Sequence, residues 1–243
     1  MRNIVTIAKR ELGGYFSTPV AYVFIVVYLL LAMGLTLFIT RFYEREQADL
    51  LAFFTWHPWV YLFLVPAVTM RLWAEERRQG TIELLFTLPV TLAESVVGKF
   101  LASWAFTGIA LALTFPIWIT VNYLGKPDNG VILSSYVGSF LMAGAYLAIG
   151  SFVSACTKNQ VIAFVVSAVL CLIFVLAGLP GVMDVLSALP DVVLQTMRSF
   201  SFLTHFESIQ TGVIDLRDIT YFLSLIATCL VVNAIVLDMK KAS

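Results

Sequence analysis

The chain has 243 residues, 60% of them apolar and only 12% charged, with a mean hydropathy of +0.93. A soluble domain carries about a quarter charged residues, so this composition excludes one and specifies a polytopic membrane protein. The formal net charge is zero, so only the placement of charge along the chain is informative.

In residues 1–17, Ile4, Ile7, Ala8 and Leu12 recur at helical spacing, with Arg2, Lys9 and Arg10 elsewhere on the wheel. The pattern predicts a helix lying in the membrane interface, apolar face in lipid, ended by Gly13 and Gly14. A positively charged N-terminal flank is the plainer alternative. Residues 19–40 follow, 22 positions without a charge, enough to cross the hydrocarbon core; Pro19 suits the first helical turn. A mixed-charge external link, 41–49, leads to a second span at 56–70. There Trp56 and Trp59 are expected at the outer interface, and Pro66 is expected to kink the helix.

Residues 71–99 form the one long polar interval on the inner side. Arg71 to Gln79 are expected to continue the helix arriving from the membrane, with Arg77 and Arg78 at its negative end. Gly80 suits a left-handed cap. Thr81 can cap a second short helix with Glu83 in its first turn, and Pro89 stops it. Thr91 and Glu94 form a Thr-x-x-Glu capping box for the helix returning to the membrane. A charged, helix-forming elbow on an otherwise apolar chain suggests that force reaches the spans from outside the bilayer. The plainer reading is a charged loop that anchors its neighbouring spans.

Further spans are expected at 100–121, 131–155, 161–182 and 219–237, with an external turn at 122–130 and an inner turn at 156–160. Gly138, Ser139, Ala143, Gly144, Ala148 and Gly150 in the fourth span would let helices pack closely in lipid. Residues 183–218 are too apolar for a solvated loop and too interrupted to span. They are expected as short re-entrant or interfacial helices in the outer leaflet. The whole chain is read as one all-α membrane domain of six spans. Ten Lys or Arg fall on the inner side and five on the outer, which puts both termini inside.

Cys156, Cys171 and Cys229 avoid the external loops, against a disulfide framework. No cleavable signal peptide is expected, because the first apolar run is too long. The chain shows no phosphate-binding P-loop, no H-E-x-x-H, no Cys/His cluster and no G-x-S-x-G, so neither catalytic nor metal residues are assigned. His57 and His205 are expected as solvated interface residues near the outer face. The spans hold no Asp, Glu, Lys or Arg, which disfavours ion-coupled transport. Asn233, the lone polar residue of the last span, is expected to join helices.

Three segments resemble a known family. The run from Ala74 to Val90 (AEERRQGTIELLFTLPV) resembles the signature of type-2 ABC exporter permeases, in the subgroup that includes the gliding-motility permease. The run from Phe202 to Asp218 (FLTHFESIQTGVIDLRD) is a second match, and Ala8-Lys9-Arg10-Glu11-Leu12 a weaker third. The resemblance implies six spans with an N-terminal interfacial helix and a cytoplasmic coupling helix. Glu75, Glu76, Arg77, Arg78, Gly80, Thr81 and Glu83 would dock on a separate ABC-type ATPase. Phe202, His205, Phe206, Glu207, Gly212, Asp215 and Arg217 would belong to an external re-entrant region near the exit. ATP and Mg would be bound by the partner ATPase and no cofactor by this chain. A second permease subunit, identical or paralogous, an extracytoplasmic accessory subunit and membrane lipid would complete the assembly in a bacterial inner membrane, without nucleic acid. A membrane scaffold that couples an ABC ATPase to an envelope or motility machine without moving a solute is the competing reading.

Overall fold

A computed structural model of the chain describes residues 2–45, 47–80, 90–186 and 190–240. Among them every regular element is helical. Helix α1 spans Arg2–Phe16 and α2 Pro19–Gly34, extended by a π-helical turn over Leu35–Ile39. Short α3, Leu51–Thr55, leads into α4, His57–Thr69, and α5 is Ala74–Gln79. Helices α6, Leu92–Ala112, and α7, Phe115–Leu124, are followed by α8, Asn129–Cys156, and α9, Gln160–Leu176. The remainder comprises α10, Pro180–Val185, α11, Asp191–Ser199, α12, Phe202–Gln210, and α13, Leu216–Met239.

The 28-residue α8 is the hub. Helices α4, α6, α9, α12 and α13 all pack against it, and 78% of its most apolar window is buried. Its small residues admit this. A Cβ on Gly150 would lie 2.8 Å from Thr69 Cβ on α4, one on Gly144 2.9 Å from Ile226 Cδ1 on α13, and one on Gly138 2.8 Å from Ile209 Cγ2 on α12. Backbones approach most closely where side chains are smallest, which is how helices associate without a hydrophobic drive between them. Asn233 of α13 donates from Nδ2 to Ser151 Oγ of α8 at 2.8 Å, the interhelical bond expected of it.

Among the described residues four stretches are long and apolar enough to cross a membrane: Pro19–Glu44, Leu92–Leu124, Asn129–Cys156 and Leu216–Met239. Helices α4 and α9, placed in the second and fifth expected spans, have 13 and 17 residues. At 1.5 Å per residue α9 reaches about 25 Å, short of a typical hydrocarbon core of about 30 Å.

Four boundaries differ from expectation, each for a local reason. Helix α1 continues through Gly13 and Gly14 to Phe16, because its apolar face is held by protein. Ile7 fills the space over Gly98 of α6, and Tyr15 stacks on Phe106 with ring centroids 5.1 Å apart. The helix expected to run unbroken from the second span to Gln79 stops at Thr69 and resumes at Ala74. Thr69 Oγ1 bonds back to the carbonyls of Val65 and Pro66, and Trp73 leaves helical geometry at φ −126°. The third expected span breaks at Leu113 and Thr114, since Pro116 has no N–H and its ring crowds the carbonyl four residues earlier. Helix α9 ends at Leu176 rather than 182, and Pro180 opens the next short helix.

Candidate functional site

The elbow is built on the turn between α4 and α5. Ser154 Oγ of α8 accepts the backbone N–H groups of Trp73 and Ala74, both at 3.1 Å, and donates to Met70 O at 3.1 Å. One hydroxyl thus satisfies two of the free donors at the start of α5 and a free acceptor at the end of α4, groups that a helix break leaves unpaired. The fully buried Trp73 indole donates to Ser151 Oγ at 3.2 Å.

The second clamp is ionic. Lys99 of α6, only 3% exposed, donates from Nζ to Leu72 O at 3.1 Å and to Glu76 Oε1 at 2.5 Å. The same ammonium stands 4.8 Å from the Trp73 ring centroid, a cation–π geometry. The third clamp is the C-terminal end of α8. Ala155 O accepts from Arg77 Nη1 at 2.9 Å and from Lys240 Nζ at 3.2 Å, while Cys156 O accepts from Lys240 at 2.6 Å. Two cations therefore sit on the negative end of the longest helix. Burial, then repulsion from Arg77, holds the Lys240 ammonium below the usual lysine range.

The residues proposed from sequence for the elbow divide between two sides. Glu76 and Arg77 grip the bundle. Glu75 accepts from Arg78 at 3.0 Å and Gln79 at 2.5 Å, and the Arg78 side chain is 65% exposed. Gly80 caps α5 at φ 72°, as a left-handed C-cap requires. Thr81, Glu83 and the expected second short helix lie outside the described residues. The capping box is present: Glu94 N–H donates to Thr91 Oγ1 at 3.2 Å, and Thr91 N–H to Glu94 Oε2 at 3.1 Å.

The second set gathers around α12 and the start of α13. Ser201 caps α12 by accepting from Leu203 and Thr204. Phe202 is fully buried against the rings of Tyr146 and Phe174, at 4.9 and 5.0 Å, and Phe206 is 1% exposed. His205 Nδ1 lies 2.6 Å from Asp218 Oδ1 and Nε2 lies 3.0 Å from Ser199 O. Both ring nitrogens are thus engaged, one by a carboxylate and one by a backbone carbonyl. Tyr221 stacks on the imidazole at 3.9 Å. Glu207, Gly212, Asp215 and Arg217 lie at the surface. Partial burial raises the Glu207 carboxyl above the usual range. Asp215 caps α13 by accepting the Arg217 N–H at 3.0 Å. Gly212 adopts φ +90° beside Val131.

Both histidines depart from the solvated placement expected of them. His205 is 5% exposed and paired; His57 is 1% exposed inside a box formed by Tyr28, Phe53, Phe54 and Tyr61. The Trp56 indole N–H is likewise buried rather than turned to an interface. Ionisable groups are buried at Lys99, His57 and Asp218; Lys99 and Asp218 border the expected spans rather than lie within them. Sequence reasoning missed Ser154, Ser151 and Asp218; the Ser-x-x-Ser pair at helical spacing on one face of α8 was the available signal. Among the described residues no three His, Cys, Asp or Glu side chains converge as metal ligands would, and the three cysteines are free.

The two clusters occupy opposite ends of α8. From Val131 beside Gly212 to Ser154 at the elbow is about 35 Å by helical rise. A family model described as "ABC-2 family transporter protein" matches residues 63–238, from within α4 to the end of α13. No curated protein matches the chain.

Proposed function

The chain belongs to the ABC-2 transporter family, and from that premise we propose that it is the membrane permease of an exporter whose ATPase docks on the elbow, residues 71–99. The carrying observation is the two-sided chemistry of α5. Its inner side is fastened to α6 through Lys99 and Glu76 and to α8 through Ser154 and Arg77. Its outer side presents Arg78, 65% exposed at the side chain and paired with the half-buried Glu75. A protein gripping that outer side would move α5 together with the hub helix. Charged contacts there would supply orientation and specificity more than raw affinity. A conformational shift requires that the motor contact α5 differently in its two states.

In this reading ATP and Mg are bound by the partner, both termini are cytoplasmic, and the membrane is the bacterial inner membrane. The shorter helices α4 and α9 complete six spans. A second permease, identical or paralogous, and an extracytoplasmic subunit of the gliding-motility kind complete the assembly. The α12 cluster would then lie at the outer face, near the exit.

Exchanging the charges with Glu75→Lys and Arg78→Glu keeps their mutual pairing and inverts what α5 presents. The variant should lose the ABC ATPase that co-purifies with the wild-type chain from its native membrane, while its own unfolding temperature is unchanged. Wild-type recovery of the ATPase would overturn the docking assignment.

A further inference from the structure

A cavity of about 270 Å³ opens between α1, α2, α4, α5 and α6, immediately inside the elbow. One end is charged, lined by Glu11, Arg71, Glu75, Glu76 and Lys99; the other is apolar, lined by Phe24, Val68 and Phe106 among others. Most of the charges are matched. Lys99 pairs with Glu76, and Glu11 with Arg10 at 2.9 Å. Two groups are not. Arg71 is exposed and has no hydrogen-bond or ion-pair partner among the described residues. Glu75 uses Oε1 for Arg78 and Gln79, while its Oε2 is buried without a partner. One cavity is thus bordered by a guanidinium without a partner among the described residues and, within its wall, by an unsatisfied carboxylate oxygen that is costly to leave unpaired.

The apolar end does not close. Phe24, Val68 and Phe106 also line a narrower cleft between α2, α4 and α6, bordered further on by Tyr28 and Tyr61. From Ala21 at the cavity to Tyr28 in the cleft, helix α2 rises about 10 Å. The cleft is almost wholly apolar, so a soluble zwitterion would leave it unused.

We propose that this cavity binds a zwitterionic phospholipid with a primary ammonium headgroup: phosphate on Arg71, ammonium on Glu75 Oε2, and one acyl chain along the α2–α4–α6 cleft. A guanidinium suits phosphate because its fork of donors matches two oxygens. A primary ammonium donates to a carboxylate oxygen, whereas a quaternary ammonium has no N–H to donate. Charge complementarity selects this occupant over an anionic lipid, which would bring its surplus negative charge against Glu75 and Glu11. The inference does not rest on the ATPase reading, since binding is a property of this chain alone.

Native mass spectrometry of the purified full chain in detergent tests it, with phosphatidylethanolamine, phosphatidylglycerol and phosphatidylcholine of matched acyl chains. The wild type should retain phosphatidylethanolamine about tenfold more tightly than either other lipid, the effect of one charge-assisted hydrogen bond. Arg71→Gln with Glu75→Gln should abolish that preference, and Val68→Phe, which narrows the cleft, should weaken all three lipids. Equal retention of the three lipids by the wild type, a comparison that needs no variant, would overturn the proposal. So would an undiminished preference in the double variant.

Discussion

The ammonium of Lys99, on α6, lies 2.5 Å from Glu76 Oε1, on α5, and is shielded by the Trp73 indole. This pair joins two segments separated by residues 77–98 and fixes α5 to the first turns of the helix that follows it. Lys99 also holds the carbonyl of Leu72 at the break between α4 and α5. The elbow is therefore a bolted corner, and a push on α5 reaches α6 and α8 through named bonds.

Removing the acidic partner should be costly. Glu76→Gln leaves the buried Lys99 without its countercharge, and breaking a buried pair from one side typically costs about 3–5 kcal/mol. Because Glu76 is partly exposed, 27% at the side chain, the lower end is expected. The double variant Glu76→Gln with Lys99→Met should be less destabilised than the two single losses summed. Unfolding in mixed detergent micelles measures both. Strict additivity would show that the pair is not coupled.

Ser154→Ala removes the acceptor used by the N–H groups of Trp73 and Ala74. Buried donors left unpaired cost about 1–3 kcal/mol, so the variant should lose about that much in the same assay. Amide hydrogen exchange at 73 and 74 should accelerate while exchange in the middle of α8 stays slow. Unchanged protection at both amides would count against the clamp.

Gly150→Ala should separate α4 from α8. A Cβ there would fall 2.8 Å from Thr69 Cβ, with both residues buried in helices, and overpacking of this kind costs about 1–3 kcal/mol. Gly181→Ala is the internal comparison. Nothing lies within 4 Å of its Cβ position, so its effect should stay within about 0.5 kcal/mol. Equal effects at the two sites would contradict the close approach.

The His205–Asp218 pair gives a stability prediction. Asp218→Leu leaves His205 Nδ1 unpaired and should cost about 1–3 kcal/mol in the same assay. Asp218→Asn keeps a hydrogen-bonding group beside the ring and should cost less. Equal losses in the two variants would count against the pair.

What could be read from the sequence is what local chemistry dictates. Gly80 as a left-handed cap, the box of Thr91 and Glu94, and the small residues of α8 all depend on neighbours within a turn or two or on side-chain size alone. The membrane class and the family follow from composition and from contiguous motifs. The break at 70–73 was not legible, because it depends on Ser154, some eighty residues away. The burial of His57 and His205 was hidden for the same reason: an aromatic box and a carboxylate on another helix are invisible to a reading that places histidine by its polarity. Helix α1 carried a lipid-facing pattern, yet Gly98 on α6 supplies a groove that receives Ile7. Among the residues assigned to the elbow, helical position alone could not say which would turn inward. Lys99 and Ala155 O decide that for Glu76 and Arg77.

The most direct test of the central claim is thiol cross-linking of the assembled complex in its membrane. In a background with Cys156, Cys171 and Cys229 replaced by alanine, a single cysteine is placed at Gln79, beside the exposed end of α5, or at Thr211, at the far end of α8. The Gln79→Cys chain should cross-link to the ABC ATPase, and the Thr211→Cys chain should not. Cross-linking from Thr211 but not from Gln79 would put the motor on the opposite face and contradict the account.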